Sequence, residues 1–461
     1  MNSRIERRAA AMSSHSRRTG KKSIAALHIA HRLPAKFDLV ALQRNKMRNV
    51  VQILLTNAVI VDATLAEPVA GHVLIEDGII IDLAARPRAA AGRMMIDLKG
   101  RTLMPGLIDC HVHVVASMMN LGANAALADT TALLRCLPIL RGYLDRGFTT
   151  VRDVGGAMFP LADAIAQGLA VGPRLIQCGK ALSRTGGHTD YRERHDARDP
   201  DRYQAKFGVL GRIADGVDEV RRAARQELRQ GAQFIKIMAN GGVSSPTDPI
   251  AWQGYSEEEM RVAVQEAADA QTYVSAHLYT SEAIARAVRC GVYSLEHCNL
   301  IDAATAKLAA EAGCVAVPTL VTFEALAEDG ARLGLPPASI AKIEDVRQGG
   351  MASLAILRDA GVVMAYGTDL LGETQIRQNE EFAIRARVLD SRSILASATT
   401  IAAKLIGMEG RLGVVAPGAI ADLLVVDGNP LENVALLANP ARNIRAVIQG
   451  GQVYRSAGLS K

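Results

Sequence analysis

The stretch YVSAHLYTSEAIARAVRCGVYSLEHC, residues 273–298, holds one full repeat of the rhythm that organises this chain. An apolar run ends in His277, an amphipathic segment closes on Gly291, and a second apolar run follows at once and ends in His297. Glycine suits the left-handed position just past a helix, so a strand can begin one residue later. The repeat reads as strand, helix, strand, with the two strands parallel neighbours. His277 and His297 are twenty residues apart, one such unit, and so project from adjacent strands.

The same punctuation recurs at Gly147 before FTTV, Gly231 before AQFI, Gly313 before CVAV and Gly361 before VVMA. It predicts eight strands, at 107–113, 149–154, 174–179, 234–239, 273–278, 293–298, 315–320 and 362–369. Ser256 with Glu259 makes a capping box and Asp302 is a good N-cap, so helix starts fall where the pattern needs them. Eight strands alternating with helices imply an α/β fold of the (β/α)8 TIM-barrel type over residues 105–410, with functional groups at the strand C-terminal ends. On either side the rhythm changes. VQILLTNAVIVDA and GHVLIEDGIIIDLAA, joined by a hairpin signal at Asp77 and Gly78, predict a small antiparallel sheet over 47–104. ADLLVVDGNP and IRAVIQGGQVYR repeat that pattern over 411–461, so the two flanks are expected to build one sandwich-like β-module together.

Composition removes several function classes. The chain carries a formal +6, but residues 1–46 hold eleven Lys and Arg against Glu6 and Asp38, and without that extension the rest sits near −3. The extension reads as a disordered arm or as sequence upstream of a start at Met47. Aromatics are only 4% of the chain, so a basic face with interleaved rings for nucleic acid is not expected. No run approaches the roughly 18 apolar residues of a membrane span, and SIAALHIA is too short for a secretory core. Six cysteines without a CxxC pair read as reduced thiols in a cytoplasmic protein.

Six residues that bind divalent metals stand at the ends of predicted strands: His111 and His113 in PGLIDCHVHV, Lys236 in FIKIMA, His277, His297, and Asp369 in VVMAYGTD. His111 and His113 are two apart on a strand and face the same way. Lys236 is flanked by apolar residues, where desolvation favours the neutral amine, which reacts with carbon dioxide to give an anionic carbamate. Alone, it would read as a lysine reaching for the rim; beside four histidines it reads as a bridging ligand. Asp369 returns next to the first strand when a barrel closes. Neutral imidazoles suit zinc and its neighbours.

With these residues in place, the chain resembles the amidohydrolase superfamily from about residue 50 to the C-terminus. TGGHTD, ANGGVSSPTDP, HLYTSEAIARAVRCGVYSLEHCNLID, VPTLVTFEAL and YGTDLLGE are similar to its prolidase-like branch. That branch contains dipeptidases cleaving Xaa-Pro or Xaa-Arg/Lys bonds, hydrolases of amide mycotoxins such as ochratoxin, and more distant carbamate and urea-herbicide hydrolases. The resemblance implies two divalent ions, zinc with cobalt or manganese as alternatives. His111, His113 and Asp369 would hold one, His277 and His297 the other, with carboxylated Lys236 and a hydroxide between them. It also implies that Asp369 carries the proton from water to the leaving amine. His188 is a candidate for gripping the carbonyl oxygen or a substrate carboxylate, and Tyr279, Arg184 and Tyr255 are candidate substrate contacts, each set against ordinary loop or rim packing. Phe323 stands where relatives often have Tyr, Cys298 where Gly is common, and Glu373–Gln375 where a histidine is expected nearby.

These readings lead to a metal-dependent hydrolase of a dipeptide or N-acyl amino acid, acting on a small molecule and assembling as a homo-oligomer like its relatives. A detoxifying hydrolase of a carbamate, urea or mycotoxin amide is the enzymatic alternative. A non-catalytic scaffold on the same fold is the other, but scaffolds lose metal ligands and this chain keeps all six. Deaminase relatives generally lack the lysine at the fourth strand, which sets Lys236 against deamination.

Overall fold

In the computed structural model, residues 52–83, 93–245 and 247–457 are described. The basic segment 1–46 and the candidate start at Met47 lie outside them. Strands and helices alternate through the middle of the chain in an α/β arrangement. Leu107–Val112, Phe148–Asp153 and Arg174–Gln177 form a three-stranded parallel sheet. A seven-stranded sheet joins, in spatial order, Gly211–Ile213, Ala181–Ser183, Ile235–Met238, Val274–Thr280, Ser294–Leu300, Val315–Val317 and Val363–Met364. Each of the eight predicted strands has a counterpart. The triplets at 181–183 and 211–213 were not foreseen, being too short to show a period.

Backbone hydrogen bonds cross both gaps between these sheets. On one side Gln233 N–H donates to the Gln177 carbonyl at 2.9 Å. On the other, Cys110 N–H donates to Tyr366 and Asp369 N–H to His111, each at 2.8 Å. The last strand is shorter than expected because its partners change: Ala365 N–H still bonds Ala316, but Tyr366 N–H turns to Ser397.

Alternation along the strands sorts their side chains. Val274, Ala276 and Leu278 pack outward into one apolar cluster with Ile235, Ile237 and the helix residues Val220, Ala263 and Ala287. Ser275, His277 and Tyr279, and likewise Lys236 and Met238, point the other way. Small alanines on the helices let them approach the sheet closely, and each large aliphatic side chain sealed there is worth about 1.5–3 kcal/mol. The helix ends follow the sequence reading. Ser256 and Glu259 form a reciprocal capping box, Asp302 caps its helix through Thr305 N–H, and Gly147 and Gly291 turn from helix to strand at φ 94° and 93°.

The flanking strands are joined by hydrogen bonds into one eight-stranded sheet. The hairpin at Asp77 and Gly78 is present, with both residues at positive φ. The sheet is mixed, not antiparallel: Gln52–Ile60 runs parallel to Met94–Asp97 and Thr102–Pro105. Only the hairpin is encoded locally, whereas the later return along the first strand is a long-range pairing. Thr102–Pro105 pairs antiparallel with Leu423–Val426, bringing the two ends of the chain together. Among the described residues no helix is long and apolar enough to cross a membrane.

Candidate active site

The strand Leu107–Val112 and the residue after it deliver two imidazoles to one cavity, which Asp369 enters from the far end of the parallel array. Asp369 Oδ1 lies 3.3 Å from His111 Nε2 and 3.2 Å from His113 Nε2. Donor atoms of these three residues all fall within 4.8 Å of one another, a set able to hold a cation. The backbone fixes Asp369 through its N–H to the His111 carbonyl, and Thr322 donates its hydroxyl to the Asp369 carbonyl at 2.8 Å. With its side chain 19% exposed, Asp369 keeps access to water where the histidines do not.

Each imidazole is oriented by a bond at its other nitrogen, as ligand histidines are. His111 Nδ1 meets Glu296 at 2.8 Å, His113 Nδ1 the Gly155 carbonyl at 2.9 Å, and His297 Nδ1 the Thr319 hydroxyl at 2.8 Å. His277 is held the opposite way round, with Nε2 3.3 Å from the Gly241 carbonyl, which leaves Nδ1 for the cavity. The His277 and His297 rings are 4.7 Å apart, and His297 is 4.7 Å from His111. Lys236 lines the same cavity. The structure thus brings together all six residues singled out by the sequence.

The electrostatics suit a cation. Burial, reinforced by neighbouring positive groups, pushes His277 and His297 well below the ordinary imidazole range, so both are neutral with a lone pair to give. Burial lowers Lys236 to about 8. Burial alone would raise Asp369, but attraction to His111 and the bonds from His111 and His113 hold it well below the usual carboxylate range.

Strand alternation predicts that Glu296 and His297 point to opposite faces, yet both serve the interior. His297 and Cys298 resolve this by adopting consecutive positive φ values of 69° and 60°. The left-handed step re-aims His297 into the cavity and sends Cys298 outward among Leu295 and Ile301. Glycine would adopt φ 60° without strain, whereas cysteine carries a Cβ there. Asp369 also sits at φ 53°, so three strained non-glycine residues gather at one site.

Other sequence candidates are placed differently. His188 lines the cavity, its ring stacked 4.1 Å from His277. Tyr279 stands behind the histidines, edge-on to His277 at 4.7 Å. Phe323 packs against it at 5.9 Å. Arg184 lies over the Trp252 ring at 5.8 Å and is not among the residues lining the cavity. Tyr255 is a correction: it is fully buried in the helix-side core and donates its hydroxyl to the Ala214 carbonyl at 3.0 Å, away from the metal ligands. Gln375, from the departing Glu373–Gln375 segment, is held by Tyr143 OH at 2.6 Å and by the Ala116 carbonyl.

Sequence reasoning missed the support beneath the site. Arg152 and Glu296, neither exposed, pair through Nη2 at 2.8 and 2.9 Å. Glu296 also accepts from Ser275 and Ser294, and Arg152 donates to the Cys110 carbonyl, Ser294 and Tyr273. Charged residues at inward-facing strand positions were the available signal. Leu121, Tyr191, Leu210, Met238 and Leu371 give the cavity an apolar wall that was likewise not anticipated.

Residues 102–454 match the amidohydrolase family model. This chain belongs to the amidohydrolase family. Within it, the chain is 32% identical over 379 residues to the ochratoxinase of Aspergillus niger, covering 77% of this chain and 76% of that protein. A solved amidohydrolase structure is 51% identical with a TM-score of 0.86, covering 88% of this chain and all of its own. A prolidase solved with N-methylphosphonate-L-proline is 50% identical, with the same TM-score and coverage. The ochratoxinase crystal structure superposes with a TM-score of 0.76 at 29% identity, over 89% of this chain and 97% of its own. These relatives put this amidohydrolase in the prolidase-like and ochratoxinase branch, with amide C–N bonds as its target class.

Proposed function

We propose that this protein is a binuclear metal-dependent hydrolase that cleaves the amide bond of a dipeptide or N-acyl amino acid. The observation that carries this is the meeting of His111, His113 and Asp369 within 4.8 Å, beside neutral His277 and His297 and a buried Lys236. The donor set fits zinc, with cobalt or manganese as alternatives. His111, His113 and Asp369 would hold one ion, His277 and His297 the second, and carboxylated Lys236 would serve both. When bound, such ions acidify water and polarise a carbonyl.

The chain's own residues supply the rest. Asp369, ionised and open to water, takes a proton from the attacking water and passes it to the departing amine. His188 presents a ring nitrogen to the substrate's polar end. Leu121, Tyr191, Leu210 and Leu371 receive an uncharged side chain. The hydrogen bonds across both sheet gaps support a closed (β/α)8 barrel over 105–410, with the flanks 47–104 and 411–461 forming an accessory module. Leu133, Leu134 and Leu137, exposed along one helix, support self-assembly. The six cysteines, all free and buried, suit a reducing cytoplasm.

A second reading, hydrolysis of a mycotoxin amide or a related carbamate or urea, is favoured by the 32% identity to ochratoxinase. Metal analysis coupled to a screen of dipeptides, N-acyl amino acids, ochratoxin A, carbamates and phenylureas separates the two. Turnover of dipeptides or N-acyl amino acids by metal-loaded protein is the expected result. Turnover confined to the xenobiotics would transfer the assignment to the second reading, and no turnover with two bound metals would sink both.

A further inference from the structure

His188 is held in the cavity by residues that come from elsewhere in the chain. One ring face stacks on His277. Gly242 lies so close that a Cβ there would fall 1.7 Å from Nδ1 and 1.9 Å from Cε1. Nδ1 is 2.8 Å from the Ser245 hydroxyl and 3.8 Å from Asp248 Oδ2, and Asp248 Oδ2 in turn accepts Gly242 N–H at 2.9 Å. With a hydroxyl and a carboxylate both facing Nδ1, the Nδ1–H tautomer of a neutral His188 is favoured, with Nε2 left for the pocket.

Gly242, Ser245 and Asp248 share one further partner. Lys342, just before the helix Ile343–Asp359, donates Nζ to their three carbonyls at 2.9, 2.9 and 2.7 Å, and lies 4.0 Å from Asp248 Oδ1. An ammonium has three protons and here meets three acceptors, so its bonding capacity is spent on this one segment. Its side chain is only 16% exposed.

We propose that Lys342 is a positioning residue for His188: by gathering the carbonyls of Gly242, Ser245 and Asp248 onto one ammonium, it fixes the ring's place and tautomer at the substrate pocket. This rests on the reading of the cavity as an amidase site, and the test keeps the two apart. In metal-loaded enzyme, Lys342→Met is expected to keep its metal-to-protein ratio and lose about 10- to 100-fold in kcat/KM, as other orienting residues do. Combined with His188→Ala, it should cost nothing beyond His188→Ala alone. Aminoethylation of Lys342→Cys rebuilds an ammonium and should restore activity, since the six native thiols are buried and spared. Losses that multiply in the double variant, or an unimpaired Lys342→Met, would overturn the proposal. Should Lys342→Met fail to fold, Lys342→Gln takes its place in the same cycle.

If wild type turns over no amide, the functional reading fails, and nitrogen-15 histidine spectra decide this proposal instead. The His188 Nδ1–H signal should persist in wild type and be lost or averaged in Lys342→Met. An unchanged signal would overturn the assignment.

Discussion

Glu296 Oε2 stands 2.8 Å from His111 Nδ1, and neither side chain is more than 1% exposed. The carboxylate is anchored from below by Arg152, so a candidate ligand histidine is aimed by a buried ion pair. Glu296→Gln would leave the guanidinium uncompensated and should destabilise the fold by about 3–5 kcal/mol. Metal affinity should fall by about 10- to 100-fold. Replacing both partners, with Arg152→Met and Glu296→Leu, should recover stability but not metal retention on dialysis, because His111 still lacks its partner. A double variant that binds metal normally would show that the pair serves packing alone.

Lys236 gives a pH dependence. In the metal-free protein its amine is lowered to about 8, so it is mainly ammonium below that pH and neutral above it. Only the neutral amine attacks carbon dioxide, releasing a proton as the carbamate forms. At a fixed concentration of dissolved carbon dioxide, reconstitution of chelator-stripped enzyme with zinc should therefore accelerate as pH rises through 8, and Lys236→Ala should lose at least one ion. Two fully bound ions in Lys236→Ala would contradict carbamate bridging.

Asp369→Asn retains the side chain's shape and one ligand oxygen but cannot carry a proton. Metal content should be kept while turnover drops by about 100- to 10,000-fold. Near-normal turnover would remove the proton transfer from Asp369.

Burial raises the Asp248 carboxyl from 3.8 to about 6. A raised folded pKa means stability that is present below about 4 and lost as pH climbs through 6, a change of about 3 kcal/mol. Asp248→Asn does not titrate, so in urea unfolding it should gain on wild type by about that amount between pH 4 and pH 7. A variant that falls behind over that interval would reverse the sign and refute the prediction.

Cys298 offers a test of strain. At φ 60° a Cβ costs about 1 kcal/mol, and Cys298→Ala keeps that cost while losing the buried sulfur. Cys298→Gly should therefore match or exceed Cys298→Ala in thermal midpoint, against the usual order of the two residues. The alanine variant melting clearly higher would mean that the left-handed step stores little strain.

The sequence made the strand ends legible because each candidate ligand closes an apolar run, and the glycines that turn helix into strand gave the repeat its length. His111, His113, Lys236, His277, His297 and Asp369 could all be read in this way. What escaped lacked a local signal that names its partner. The Arg152–Glu296 pair joins strands 144 residues apart, Lys342 acts on carbonyls, which carry no side-chain signature, and the step at His297 and Cys298 breaks the alternation used to find it. Tyr255 lies in the helix-side core instead, because nothing in the sequence says which side of a strand layer a ring will choose.

Met104 pairs with Leu424, so a strand made early in synthesis finds its neighbour only after more than 300 further residues have left the ribosome. Until then the nascent chain carries an open, sticky β-edge, a hazard for aggregation while translation continues. Yield in a heterologous host should thus depend on chaperone supply more than on codon choice.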